Sequence, residues 1–174
     1  LLRYLDSPCI YPTAIEGFNL VRREDVGTPE QCFEKPLVGL VVQGTKHSLM
    51  GGREFVYTEN QCIVAGIDMP ISSYVINPTH ETPFLFLYLY LDRHLLSSLT
   101  LEMKHNFPET SEDCTSVSIA DAGSDILEMF LRLVDLLEKP EQISIRAPMM
   151  LRELHYLLLI SPHGNILRQL NTPG

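Results

Sequence analysis

"LVVQGTKHSLMGGREFVYTENQC", residues 40–62, is the stretch whose reading decides the fold. An apolar run passes into a segment carrying Gln43, Lys46 and His47, meets Gly51-Gly52, and returns as "REFVYT" at 53–58. Paired glycines between two such runs mark a hairpin, because glycine takes positive φ at no steric cost. "ENQ" turns the chain again, and "CIVAGI" at 62–67 supplies another strand.

The same pattern extends in both directions. "TAIEGFNLVRRED" (13–25) carries Ile15, Phe18, Leu20 and Val21 among polar residues. "PLVGLVVQG" (36–44) is nearly all apolar, which predicts a strand covered on both faces. "PISSYVIN" (70–77) and "PFLFLYLYL" (83–91) complete the series. In the last of these, alternation puts Phe84, Phe86, Tyr88 and Tyr90 on one face and Leu85, Leu87, Leu89 and Leu91 on the other. The leucine face reads as core. The aromatic face has three readings: a cavity wall, a subunit contact, or cover for a helix.

Beyond residue 92 the period changes to that of helices. Asp92 is placed to cap a helix over 93–104, with Leu95, Leu99 and Met103 at spacings of four. Residues 106–118 read as a loop. A helix over 124–138 aligns Ile126, Phe130, Leu133, Val134 and Leu137, and Lys139-Pro140 stops it. Another is expected over 144–160 with Pro148 early in it, then a short one at 165–170. Strands followed by helices give an α+β domain. The expected form is a cupin-like antiparallel β-barrel (a double-stranded β-helix) over 1–92, then a C-terminal helical appendage over 93–174, together one structural domain.

The composition is that of a globular chain: 174 residues, 45% hydrophobic and 20% charged. A net charge of −9 argues against this segment gripping nucleic acid, which needs clustered Lys and Arg. No apolar run approaches the roughly 18 residues of a membrane span, and no secretory leader is visible. The expected setting is the cytoplasm, with no membrane partner. Because the chain starts at Leu1 rather than Met, it reads as part of a longer protein.

Catalytic patterns are missing. Metal-binding cupins need imidazoles two residues apart on a strand so that both point inward. None of the six histidines stands two residues from another, and none forms HExxH. There is no G-x-S-x-G elbow and no phosphate-binding glycine loop. Neither an enzyme nor a cofactor is expected. A ligand cavity fits better, since small barrels hold one molecule among apolar walls with a few polar groups. Gln43, Lys46, Tyr57, Tyr74, Tyr88 and Tyr90 are the candidate polar groups, each of which could equally be a rim or surface residue. Of the four cysteines, free thiols in a CxxC-less chain, Cys32 and Cys62 are candidates for redox or aldehyde sensing.

Several segments, in order, resemble one family. "PLVGLVVQGTKHSLMGGREFVY" (36–57) has its apolar strand, Gln-Gly-x-Lys and Gly-Gly-Arg. "PTAIEGFNLVRRE" (12–24), "CFEKP" (32–36), "DMPISSYVINPTHETPFLFLYLYLD" (68–92) and "MLRELHYLLLISPHGNILRQL" (150–170) agree with its other segments. The chain resembles the N-terminal domain of AraC-type transcriptional regulators. The resemblance implies a cupin-like sensory barrel without a metal motif, a small-molecule effector, and DNA contact only through a C-terminal helix-turn-helix region outside this chain. Where the family strand often carries Arg and Asp, this chain has Tyr88 and Tyr90, which implies a more aromatic or apolar ligand if those positions face a pocket. Two alternatives stay open: a homodimerisation module using the helices at 93–104 and 124–138, and a cupin metal enzyme.

Overall fold

The computed structural model describes residues 1–27, 29–103 and 116–170. Most of the expected 106–118 loop, Cys114 and the closing "NTPG" lie outside the described residues. The strands are β1 (Cys9–Pro12), β2 (Phe18–Arg23), β3 (Glu30–Glu34), β4 (Leu37–Gln43), β5 (Thr45–Met50), β6 (Arg53–Thr58), β7 (Gln61–Ala65), β8 (Met69–Ile76), β9 (Phe84–Tyr90) and β10 (Val117–Asp121). The helices are α1 (Arg93–Glu102), α2 (Gly123–Leu136), α3 (Pro140–Ile160) and α4 (Gly164–Leu170).

The hairpin forms as its glycines require: β5 and β6 pair from Met50–Arg53 outward, with Gly51 and Gly52 at φ 56° and 76°. Two antiparallel sheets result, one ordered β1-β2-β9-β4-β7-β10 and the other β3-β8-β5-β6. Their inner faces share a core of Val21, Val41, Ile63, Phe84 and Phe86 from the first sheet with Met50, Tyr57 and Val75 from the second. The helices lie outside this pair, against the back of the six-stranded sheet. There a second, larger core joins Leu20, Val38, Leu85, Leu87 and Leu89 to Ile126, Met129, Phe130, Leu133, Leu154 and Leu158. The architecture is α+β: a cupin-like pair of facing sheets with a helical layer on one side.

The two cores settle the parity of β9. Its leucines face the helices, and Phe84 and Phe86 face the interior between the sheets. Both faces of the strand are therefore buried, as they are for β4.

Four features differ from the sequence expectation. β1 and β3 are short pairing strands that carry no clear alternation. β10 begins inside the segment read as a loop and pairs with β7, so the six-stranded sheet takes a strand from beyond residue 92. α3 starts at Pro140, which opens this helix as well as following the previous one. Pro148 is consequently interior to α3, where it removes a backbone donor. On α2, Met129 and Leu136 are fully buried while Val134 and Leu137 are only partly so, a slight rotation of the expected stripe. Asp92 does cap α1, accepting from the amides of His94 and Leu95 at 2.9 and 3.1 Å.

Two buried histidines tie the helical layer together. His155 of α3 accepts the Asp92 amide on Nε2 at 3.0 Å, and its Nδ1 lies 2.7 Å from the Leu151 carbonyl, to which it donates. His163, in the α3–α4 turn, places Nδ1 2.9 Å from the Ser118 hydroxyl of β10. Burial lowers the pKa of His155 and pushes that of His163 down to about 4. An unfolded chain takes up these protons near pH 6.5. In the window from about 6.5 down to about 4 the unfolded state holds more protons, so acidification favours unfolding. Urea denaturation should therefore show stability falling as pH drops from 6.5 to 5, at up to about 1.4 kcal/mol per pH unit for His163. A flat or rising profile would contradict this, and His163→Gln should reduce the slope.

Candidate functional site

Between the facing sheets lies a cavity of about 130 Å³. For scale, an apolar cavity of about 150 Å³ is large enough to take up benzene. The walls are mainly apolar: Val21, Leu37 and Ile63 from the six-stranded sheet, Met50, Ile71 and Val75 from the other. One wall is aromatic. Phe84, Phe86 and Tyr88 stand in succession on the inner face of β9, with ring centroids 5.9 and 6.1 Å apart. Opposite them, β5 alternation turns Lys46, Ser48 and Met50 inward. The Lys46 Nζ lies 5.4 Å from the Phe86 ring centroid, within cation–π range.

Tyr57 is buried on β6, with its hydroxyl 2.9 Å from the Ser48 hydroxyl. Burial pushes its pKa up to about 12, so the pair is a neutral hydrogen-bonding group in the wall. Tyr88 is raised further, first by burial and then by neighbouring Tyr90. The mouth is polar: Arg23, Asp25, Cys32 and Glu34 line it together with Val26 and Gly27. There the Cys32 thiol donates to Glu34 Oε1 at 3.3 Å and the Tyr90 hydroxyl to Glu34 Oε2 at 3.4 Å.

The structure thus brings Lys46, Tyr57, Tyr88 and Cys32 to one cavity, sets Tyr74 at its border, and places Gln43, Tyr90 and Cys62 elsewhere. Tyr74 borders the cavity, but it pairs with His47, and their rings stack at 4.8 Å on the opposite face of the four-stranded sheet. Gln43 would share the inner face with Val41 by plain alternation. A bulge between these residues shifts the register so that Gln43 pairs with Leu85, and Gln43 lines a separate pocket with Ile76, Asn77 and Phe84, its amide donating to the Pro83 carbonyl at 2.8 Å. Tyr90 lies past the cavity at the end of β9, beside Glu34 and under Lys35. Cys62 is wholly buried in the core facing the helices, and burial pushes its thiol up to about 12. Ser48, Arg23, Asp25 and Glu34 were not singled out in the sequence. For Ser48 the signal was its parity with Lys46; the other three lie on or beside strands whose partners were not legible. Among the described residues no group of His, Cys, Asp and Glu is gathered as for a metal ion.

The sequence matches the family described as AraC-type transcriptional regulator N-terminus over residues 14–166. The chain belongs to that family. No curated protein matches it in sequence. In fold, this AraC-type domain is similar to ToxT of Vibrio cholerae. The unsaturated fatty acid bound wild-type protein of strain SCE256 superposes with a TM-score of 0.55 at 7% identity, covering 91% of this chain and 57% of that one. ToxT of strain O395 bound to (E)-4-(8-methylnaphthalen-1-yl)but-3-enoic acid gives 0.54 at 8%, covering 90% and 58%. An apo ToxT variant gives 0.53 at 8%, covering 83% and 55%. The chain therefore spans little more than half the length of these solved relatives. At such identity the likeness shows the fold alone. Among the described residues no helix is long and apolar enough to cross a membrane.

Proposed function

We propose that this AraC-type domain senses a small carboxylic acid bound in the cavity between its two sheets. One observation carries the reading: a largely apolar cavity has the Lys46 ammonium set against its aromatic wall, with the Arg23 guanidinium also in its lining. Apolar walls favour a hydrocarbon body, and the ammonium favours an acidic end. The ligands named for the two ToxT complexes, a fatty acid and an arylbutenoic acid, likewise join a hydrocarbon body to an acidic end. The domain is a binding module rather than an enzyme. In a longer cytoplasmic regulator, an effector that binds one arrangement better than another shifts how a C-terminal helix-turn-helix region meets DNA. Calorimetric titration of the 174-residue chain with aryl and straight-chain acids tests this. One-to-one binding that weakens when Lys46 is replaced supports it, and the failure of every acid to bind defeats it.

A second reading, self-association, is favoured by α3. Ile145, Met149, Tyr156 and Ile160 form one stripe on this helix and are 69, 63, 39 and 48% exposed. Exposed apolar area of this kind points to α3, more than to α1 or α2, as the contact between two copies. Light scattering should give a dimer that Ile145→Glu with Met149→Glu converts to monomer. A wild-type chain that stays monomeric at high concentration would exclude it.

A further inference from the structure

Gly39 sits in the middle of β4, where glycine weakens a strand and commonly marks a close approach by another group. Here the approaching group is Phe86. A Cβ at position 39 would meet Phe86 Cε2 at 2.6 Å and Cε1 at 3.1 Å, with Cζ closer still. The tip of the ring thus occupies the space that a side chain at 39 would fill. Phe84 and Tyr88 flank the same ring along the strand. If the ring left Gly39, its open direction would be off the sheet and into the cavity, toward Lys46.

We infer that Phe86 seated on Gly39 is the size stop of the cavity, and that it limits the effector to a planar acid of about one aromatic ring. The inference rests on the cavity being the effector site. Two observations support the limit, and a third supports the acid. The volume is about 130 Å³, near that which accepts benzene, so a fused bicycle or a long acyl chain would have to extend into the mouth. The wall facing the ligand is a row of rings, against which a flat molecule stacks. The Lys46 ammonium already lies over Phe86, which disfavours a cationic ligand at that face. The chain should therefore reject the larger acids named for its solved relatives.

The test is calorimetric titration with benzoate, 2-naphthoate and dodecanoate, beside methyl NMR titration with benzene and naphthalene. Wild type should bind benzoate at least tenfold more tightly than either larger acid, and benzene in preference to naphthalene. Gly39→Ala should weaken benzoate at least tenfold by driving the Phe86 ring into the cavity. Phe86→Ala, or the milder Phe86→Leu, should reverse the order and admit 2-naphthoate. Wild type binding dodecanoate or 2-naphthoate as tightly as benzoate would overturn the size stop while leaving the acid-sensing reading standing. Discrimination between the two hydrocarbons without binding of any acid would keep the size stop and remove the acid reading. Binding of neither benzene nor benzoate would overturn both.

Discussion

Replacing Phe130 with alanine will cost the domain about 3–5 kcal/mol, the usual penalty for emptying a buried phenyl site. Phe130 is 0% exposed and its ring lies 6.2 Å from that of Phe18, so it joins α2 to the back of the six-stranded sheet. That loss is a large part of the roughly 5–15 kcal/mol that holds a typical domain together. In a chain of this size it corresponds to a melting temperature lowered by roughly 10 °C or more. Leu131, the next residue, is 60% exposed, and its change to alanine should move stability by less than about 0.5 kcal/mol. Denaturant titration of the two variants checks the pair. Equal, small effects would mean that the helical layer is not cooperative with the sheets.

The second large effect falls on binding. Lys46→Met keeps an unbranched apolar stem of similar bulk and removes the ammonium from the cavity wall. A hydrogen bond to a charged group contributes about 1.5–3 kcal/mol, so affinity for benzoate should fall roughly 10- to 100-fold. Affinity for benzene, which has no charge to place, should hold or rise. Calorimetry with both probes separates the electrostatic contribution from the apolar one. An unchanged benzoate affinity would remove Lys46 from the effector site.

Much of the sheet architecture was legible because its signals are local. Gly51-Gly52 fixes the β5–β6 hairpin within a few residues, and the strict alternation of 84–91 defines two faces of β9. What alternation left open was which faces were covered, and by what. Both were: the leucines by the helices and the aromatics by the opposite sheet, a matter of long-range packing that no window of sequence contains. β10 escaped notice for a related reason, since five residues with little burial outside Val117 acquire their identity only by pairing with β7.

The site was legible in part. Lys46 and Tyr57 could be named because polar groups on otherwise apolar strands stand out, and the structure turns both to the cavity. Gln43 stood out equally, but it lies past a one-residue bulge and lines a separate pocket with Ile76 and Phe84. Tyr74 is one step out of phase with the inward residues of β8. Gly39, invisible as a missing side chain, gains meaning only once Phe86 is seen to rest on it.

The central claim is that an acid binds between the sheets, and methyl NMR during benzoate titration tests it most directly. The account predicts saturable shifts at Met50, Ile63, Ile71 and Val75 around the cavity, with Leu133, Leu154 and Leu158 behind the sheet unmoved. Shifts confined to the helical layer, or none at all, would contradict it.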